Sequence, residues 1–122
     1  MTTTVSTSMQ LVLPADPQLL RIVRLVASGM ASLGPLDLDA VEEVRVAADE
    51  LVSTLMEASD GGPVTLDLSI TADALSLEAS TAVRGELAVD PMTDRILDNV
   101  STRHEWRTEG GQAHGIVEHS LS

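Results

Sequence analysis

At 122 residues the chain is sized for one domain, able to bury about two-thirds of its unfolded surface around a single core. It has no cysteine, which excludes a disulfide scaffold and a cysteine-based zinc site. Nineteen acidic residues against seven basic ones give a net charge of −12, which repels phosphate backbones and anionic lipid and argues against direct binding to nucleic acid or to a membrane.

A basic protein partner fits this charge, and so does plain solubility. Trp106 is the only aromatic residue, so the core must be aliphatic and base-stacking platforms are excluded. The opening "MTTTVSTSMQLVLP" lacks the basic start and unbroken apolar segment of a signal peptide. No apolar run is long enough to span a bilayer, so a cytoplasmic location is expected.

From Val5 to Leu13 the residues alternate, with Val5, Met9, Leu11 and Leu13 on one side and Ser6, Ser8 and Gln10 on the other, the pattern of a half-buried strand ended by Pro14. Asp16-Pro17 supplies an N-cap and a first-turn proline to a helix whose stripe is Leu19, Val23, Val26, Met30 and Leu33, stopped by Gly34-Pro35. Arg21 and Arg24 fall on the polar side of that helix.

The longest amphipathic run, Leu36 to Ser59, places Val41, Val44, Ala48, Leu51 and Leu55 on one helical face. Asp39 with Glu42 reads as its capping box, and Asp60-Gly61-Gly62-Pro63 as its stop. Val64–Ile70 and Leu75–Ala79 then alternate around the turn Thr71-Ala72-Asp73, which pairs them as an antiparallel hairpin. "TAVRGELAVD" has no clear period and reads as a loop, and Asp90-Pro91 starts a short helix to about Val100 with Met92, Ile96 and Val100 in register.

The remainder makes two strands about Glu109-Gly110-Gly111, giving the order βααββαββ. The expected fold is α+β, a single-domain two-layer sandwich over residues 1–122 with a mostly antiparallel sheet and helices on one face.

"EVRVAADELVSTLMEAS" and the element order over nearly the whole chain resemble the GHKL (Bergerat-fold) ATPases, with the histidine-kinase-like ATPase fold. Within them the chain is similar to the anti-sigma factor serine kinases, above all the short actinobacterial anti-sigma members. The resemblance implies that Glu50 stands for the family's general base near the γ-phosphate. Thr54 then takes the place of the asparagine that holds magnesium, where a neutral hydroxyl is a poorer ligand for a hard cation.

In "EASTAVRG", Thr81 stands where the family has the aspartate that accepts from the adenine amino group, Val83 where it has its first glycine, and Gly85 matches the second. Between this motif and the last helix, "GELAVDPMT" replaces the lid and the glycine-rich phosphate loop, leaving no evident amide cradle for a triphosphate. Gly110, Gly111 and Gly115 follow the last helix and read as a turn of the closing hairpin.

Other chemistry finds little support. His104, His114 and His119 with Glu105 and Glu118 are metal-type residues, but His114 and His119 are five apart in a predicted strand and face opposite sides, so they read as surface histidines. Asp49 and the pair Glu42-Glu43 read as solvated carboxylates. No Gly-x-Ser-x-Gly elbow is present.

The resemblance implies an anti-sigma-like regulatory protein that sequesters a sigma factor and is itself captured by an anti-anti-sigma factor. Asp16, Gln18, Arg21 and Arg24 are the partner-binding candidates, because family members present the first helix. No cofactor is expected; ATP and magnesium enter only in the alternative, an active serine kinase acting on an anti-anti-sigma factor through Glu50. Homodimerisation through the sheet and first-helix region is a further family expectation.

Overall fold

The computed structural model describes residues 6–121. Five strands, β1 (Thr7–Leu13), β2 (Val64–Ile70), β3 (Ala74–Ala82), β4 (Arg103–Glu109) and β5 (Gln112–Ser120), form one antiparallel sheet in the order β1-β2-β3-β5-β4. Helices α1 (Leu20–Ala31), α2 (Leu38–Ala58) and α3 (Pro91–Val100) lie on one face. The α+β sandwich and its element order are as expected. Val5, given to the first strand by its alternation, lies outside the described residues.

The sheet's alternation decides what the helices cover. Leu66, Leu68 and Ile70 lie opposite Ala79, Leu77 and Leu75, and Leu77 and Ala79 lie opposite Val117 and Gly115, so one face is aliphatic and almost wholly buried. The other face carries Asp67, Glu78, Glu118 and their polar neighbours. α1 packs against α2 and β2, α2 spans β3 and β5, and α3 lies against α2 and β4.

The core of α2 is wider than a simple stripe: Ala47, Val52, Thr54 and Met56 are buried beside Val44, Ala48, Leu51 and Leu55 because helices flank it on both sides. On α1, Ala27 and Ala31 are buried with Val23 and Met30, whereas Leu33 lies past the helix end and is exposed.

Several local expectations are corrected. The N-cap of α2 is Asp37, whose carboxylate accepts from the Ala40 amide at 2.8 Å, and Asp39 sits in the first turn. Asp37→Ala is therefore expected to cost about 1 kcal/mol in urea denaturation and Asp39→Ala less than about 0.5 kcal/mol.

On α3, Thr93 and Leu97 face the core while Met92 is mostly exposed, because the helix presents to α2 and β4 the side one residue further round. Strand β3 continues through Thr81 and Ala82, which sequence alone gives to the loop. Ala113 and Gln112 of β5 extend the ladder opposite them. The tight reversal uses only Gly110 and Gly111, both at positive φ. Gly115 belongs instead to the interior of β5 under α2.

Candidate functional site

The Glu50 side of α2 faces α3. Thr93 Oγ1 donates to Glu50 Oε2 at 3.2 Å, so the carboxylate joins the two helices. Four residues on, Thr54 is buried and its hydroxyl donates to the Glu50 main-chain carbonyl at 2.8 Å, the usual back-bond of a helical threonine.

Thr81 lies in β3, 2% exposed, and its hydroxyl donates to the Pro63 carbonyl at 3.0 Å. Val83 is also buried, and its amide donates to the Gly111 carbonyl, stitching the end of β3 to the last hairpin. Gly85 is exposed with open space about it. It lines a shallow cavity of about 330 Å³ with Glu57, Ala58, Val83, Arg84, Glu86 and Ala88. Glu50 bonds across the α2–α3 seam, Thr54 lies buried one turn further along the same helix, Thr81 is buried in β3, and Gly85 is exposed beyond the end of that strand.

The seam carries polar contacts that sequence patterning does not reveal. Asp94 Oδ1 accepts from Trp106 Nε1 at 2.8 Å and lies 2.9 Å from His104 Nε2. A carboxylate only accepts, so that ring nitrogen carries the hydrogen. His104 Nδ1 lies 3.4 Å from Asp98. His104, grouped in the sequence with the surface histidines, is largely buried between α3 and β4. The only sequence signal for this was local: Asp94 and Asp98 are one helical turn apart.

His114 points to the open face of the sheet. His119 points to the helix face, where it borders a gap too narrow for water between β3, β5 and α2. Among the described residues no three metal-type side chains gather into a site.

The partner-binding candidates lie on the other flank. Asp16 caps the 3-10 turn Pro17–Leu19 that leads into α1, accepting from the Gln18 amide at 3.0 Å. Asp16, Gln18 and Arg21 are exposed. Arg24 Nη1 donates to Asp49 Oδ1 of α2 at 2.9 Å, so Asp49 is paired and not merely solvated. A groove of about 310 Å³ opens there, lined by Arg24, Arg45, Val46 and Asp49.

Arg45 donates to Glu42, and this hydrogen bond holds the Glu42 carboxyl below its ordinary pKa. On the sheet's open face, hydrogen bonds from Arg103 likewise lower Glu118. Both groups lie at the surface, so screening leaves their effect on stability small.

No helix among the described residues is long and apolar enough to cross a membrane. No protein-family model and no curated protein matches this sequence. Among solved structures, the chain is similar to the crystal structure of the RsbU and RsbW domains of Rv1364c from Mycobacterium tuberculosis, with a TM-score of 0.75 and 13% identity. The match covers 94% of this chain and 32% of that one, so the chain spans about a third of its neighbour's length. At that identity the likeness is one of fold alone. The chain shares the mixed α+β fold found in that RsbU–RsbW structure.

Proposed function

We propose that the chain is an anti-sigma-like regulatory protein of the short actinobacterial kind, cytoplasmic, which binds and sequesters a sigma factor without using a nucleotide. Its activity would in turn be relieved by an anti-anti-sigma partner. The observation that carries this reading is Thr81: at the adenine-aspartate position stands a buried hydroxyl already donating to the Pro63 carbonyl.

An adenine amino group needs a strong acceptor within reach; Thr81 offers only the lone pairs of a neutral hydroxyl that is 2% exposed, and the Val83 side chain offers none. Thr54 is buried with its hydroxyl proton committed to its own helix, a poor ligand for magnesium. The residues present do not fit ATP and magnesium. Glu50 is read as a structural acid bridging α2 and α3.

A homodimer is part of the proposal. The β4 edge is guarded by Arg103, Glu105, Arg107 and Glu109, whereas β1 carries no charge and exposes Met9 and Val12.

Calorimetric titration with ATP and magnesium tests the nucleotide half: no saturable heat is expected up to about 1 mM, a ceiling corresponding to about −4 kcal/mol. Micromolar binding that weakens in Glu50→Ala would turn the reading to a serine kinase. Capture of a sigma factor from the native host at low salt tests the client half, and failure to capture any would overturn it.

A further inference from the structure

His104 meets a carboxylate at each of its ring nitrogens. Nε2 donates to Asp94 Oδ1 at 2.9 Å, and Nδ1 lies 3.4 Å from Oδ1 of Asp98, one helical turn further along α3. The first is a formed hydrogen bond, while the second distance is longer than such bonds run. The two acids also differ in freedom. Asp94 is tied to Trp106 as well, whereas Asp98 has no other partner among the described residues and is 70% exposed.

Because Nε2 carries a hydrogen for Asp94, the charge of the ring decides what Asp98 meets. In the neutral ring Nδ1 is a bare lone pair facing a carboxylate oxygen, a repulsive meeting that Asp98 relieves by turning to water. A second proton makes Nδ1 a donor, and the same oxygen then accepts a charge-assisted hydrogen bond. The ring itself is 14% exposed, so little water reaches it to compete.

The surroundings on this face are mainly acidic. From α3 the ring meets Asp94 and Asp98, with Arg95 on the exposed side of that helix. From α2 the acids on this flank are Glu43 and Glu50, the latter bonded to Thr93. From β5 it faces Val117 directly and His119 on the diagonal, and His119 is the one group there whose own protonation opposes a second charge. Arg103, Glu105 and Glu118 lie on the opposite face of the sheet.

We propose that His104 is a proton-operated clasp on α3: its second proton draws Asp98 to the ring and fastens the last turn of α3 to β4, and loss of that proton releases the last turn while Asp94 and Trp106 hold the first. Imidazole changes charge between about pH 5 and 8, so the clasp is closed at the acid end of that range and open at the alkaline end. The helix it governs is the one that holds Glu50 through Thr93.

The full chain carries its own probe. Trp106 is the only tryptophan, and a charged imidazole that shares Asp94 with the indole quenches its emission. Emission titrated from pH 5 to 9 should rise through one step, and His104→Gln, which keeps a donor for Asp94 without a titrating ring, should abolish it. Asp98→Asn should move the midpoint down by about 0.2–0.7 of a pH unit, the shift an exposed ion pair supplies. Hydrogen exchange, expressed as protection factors to remove the intrinsic effect of pH, should show Leu97 to Val100 losing about two- to fivefold in protection across the step while β3 keeps its own.

No step in emission, or a step that survives His104→Gln, overturns the clasp, and so does an Asp98→Asn midpoint that stays in place or rises. A step that leaves α3 protection unchanged, or that lowers α3 and β3 equally, overturns the fastening of α3. If His104→Gln does not fold by circular dichroism, Asp98→Asn, at an exposed position, decides alone.

Discussion

Gly115→Ala is expected to lower unfolding stability by about 1–3 kcal/mol, and Gly115→Val by more. A Cβ at Gly115 would lie 2.5 Å from Leu51 Cδ1 and 2.7 Å from Trp106 Cζ3, far inside van der Waals contact. Leu51 is fully buried at the centre of α2, and Trp106 lies directly across the ladder on β4, so neither can withdraw without disturbing a second layer.

Urea midpoints measure the loss; thermal midpoints should fall by about 4 °C for each kcal/mol. The double variant Leu51→Ala/Gly115→Ala separates overpacking from lost strand propensity. Leu51→Ala alone should cost about 2–5 kcal/mol through its cavity, and the pair should cost less than the sum by about 1–2 kcal/mol as the new methyl enters that space. Strict additivity would mean that Gly115 is not pressed by Leu51.

Trp106→Ala is the second large effect, about 2–4 kcal/mol, below the full cost of a buried tryptophan because the ring is only partly covered. The ring performs two tasks. Its face covers the bare backbone of Gly115, and its indole N–H donates to Asp94, fastening α3 to β4.

Trp106→Phe retains most of the first task and removes the second, so it should cost about 1–1.5 kcal/mol. Asp94→Asn keeps the size of the acceptor and removes its charge, leaving one carbonyl oxygen for the Trp106 and His104 donors that now share Asp94 Oδ1. Hydrogen exchange at α3 amides reports this fastening locally: Trp106→Phe should raise exchange in α3 more than in β2 or β3. Uniform acceleration across the sheet would show that Trp106 supports the core generally and not the α3 attachment.

Most of the architecture was legible because it is written in short-range signals. The alternation of Val64 to Ile70 and Leu75 to Ala79 placed the central hairpin, Asp16-Pro17 and Asp90-Pro91 marked two helix starts, and Gly110-Gly111 marked the last reversal. Asp37 does not stand out as a cap in the sequence because Asp39 with Glu42 offers a fuller capping box two residues later, and only backbone geometry separates them. Thr81 and Ala82 read as loop in the sequence because β-pairing with Ala113 and Gln112 is a long-range gain that no local window contains.

The candidate site was legible in residue identity and opaque in arrangement. Glu50, Thr54, Thr81 and Gly85 come from one motif-like reading, yet their side chains answer to different neighbours: Thr93 of α3, the helix's own carbonyl, Pro63, and open space.

By itself the sequence determined that this is an aliphatic, acidic, cysteine-free α+β domain with three helices and five strands, since caps, turns and hydrophobic period act within a few residues. Only the tertiary structure decided that β5 inserts between β3 and β4, that Gly115 must lack a side chain, that His104 and Trp106 share Asp94, and that Arg24 is held by Asp49. Each of those facts joins groups brought together by burying the sheet's aliphatic face, a cooperative gain that depends on the whole chain at once and leaves no periodic trace in it.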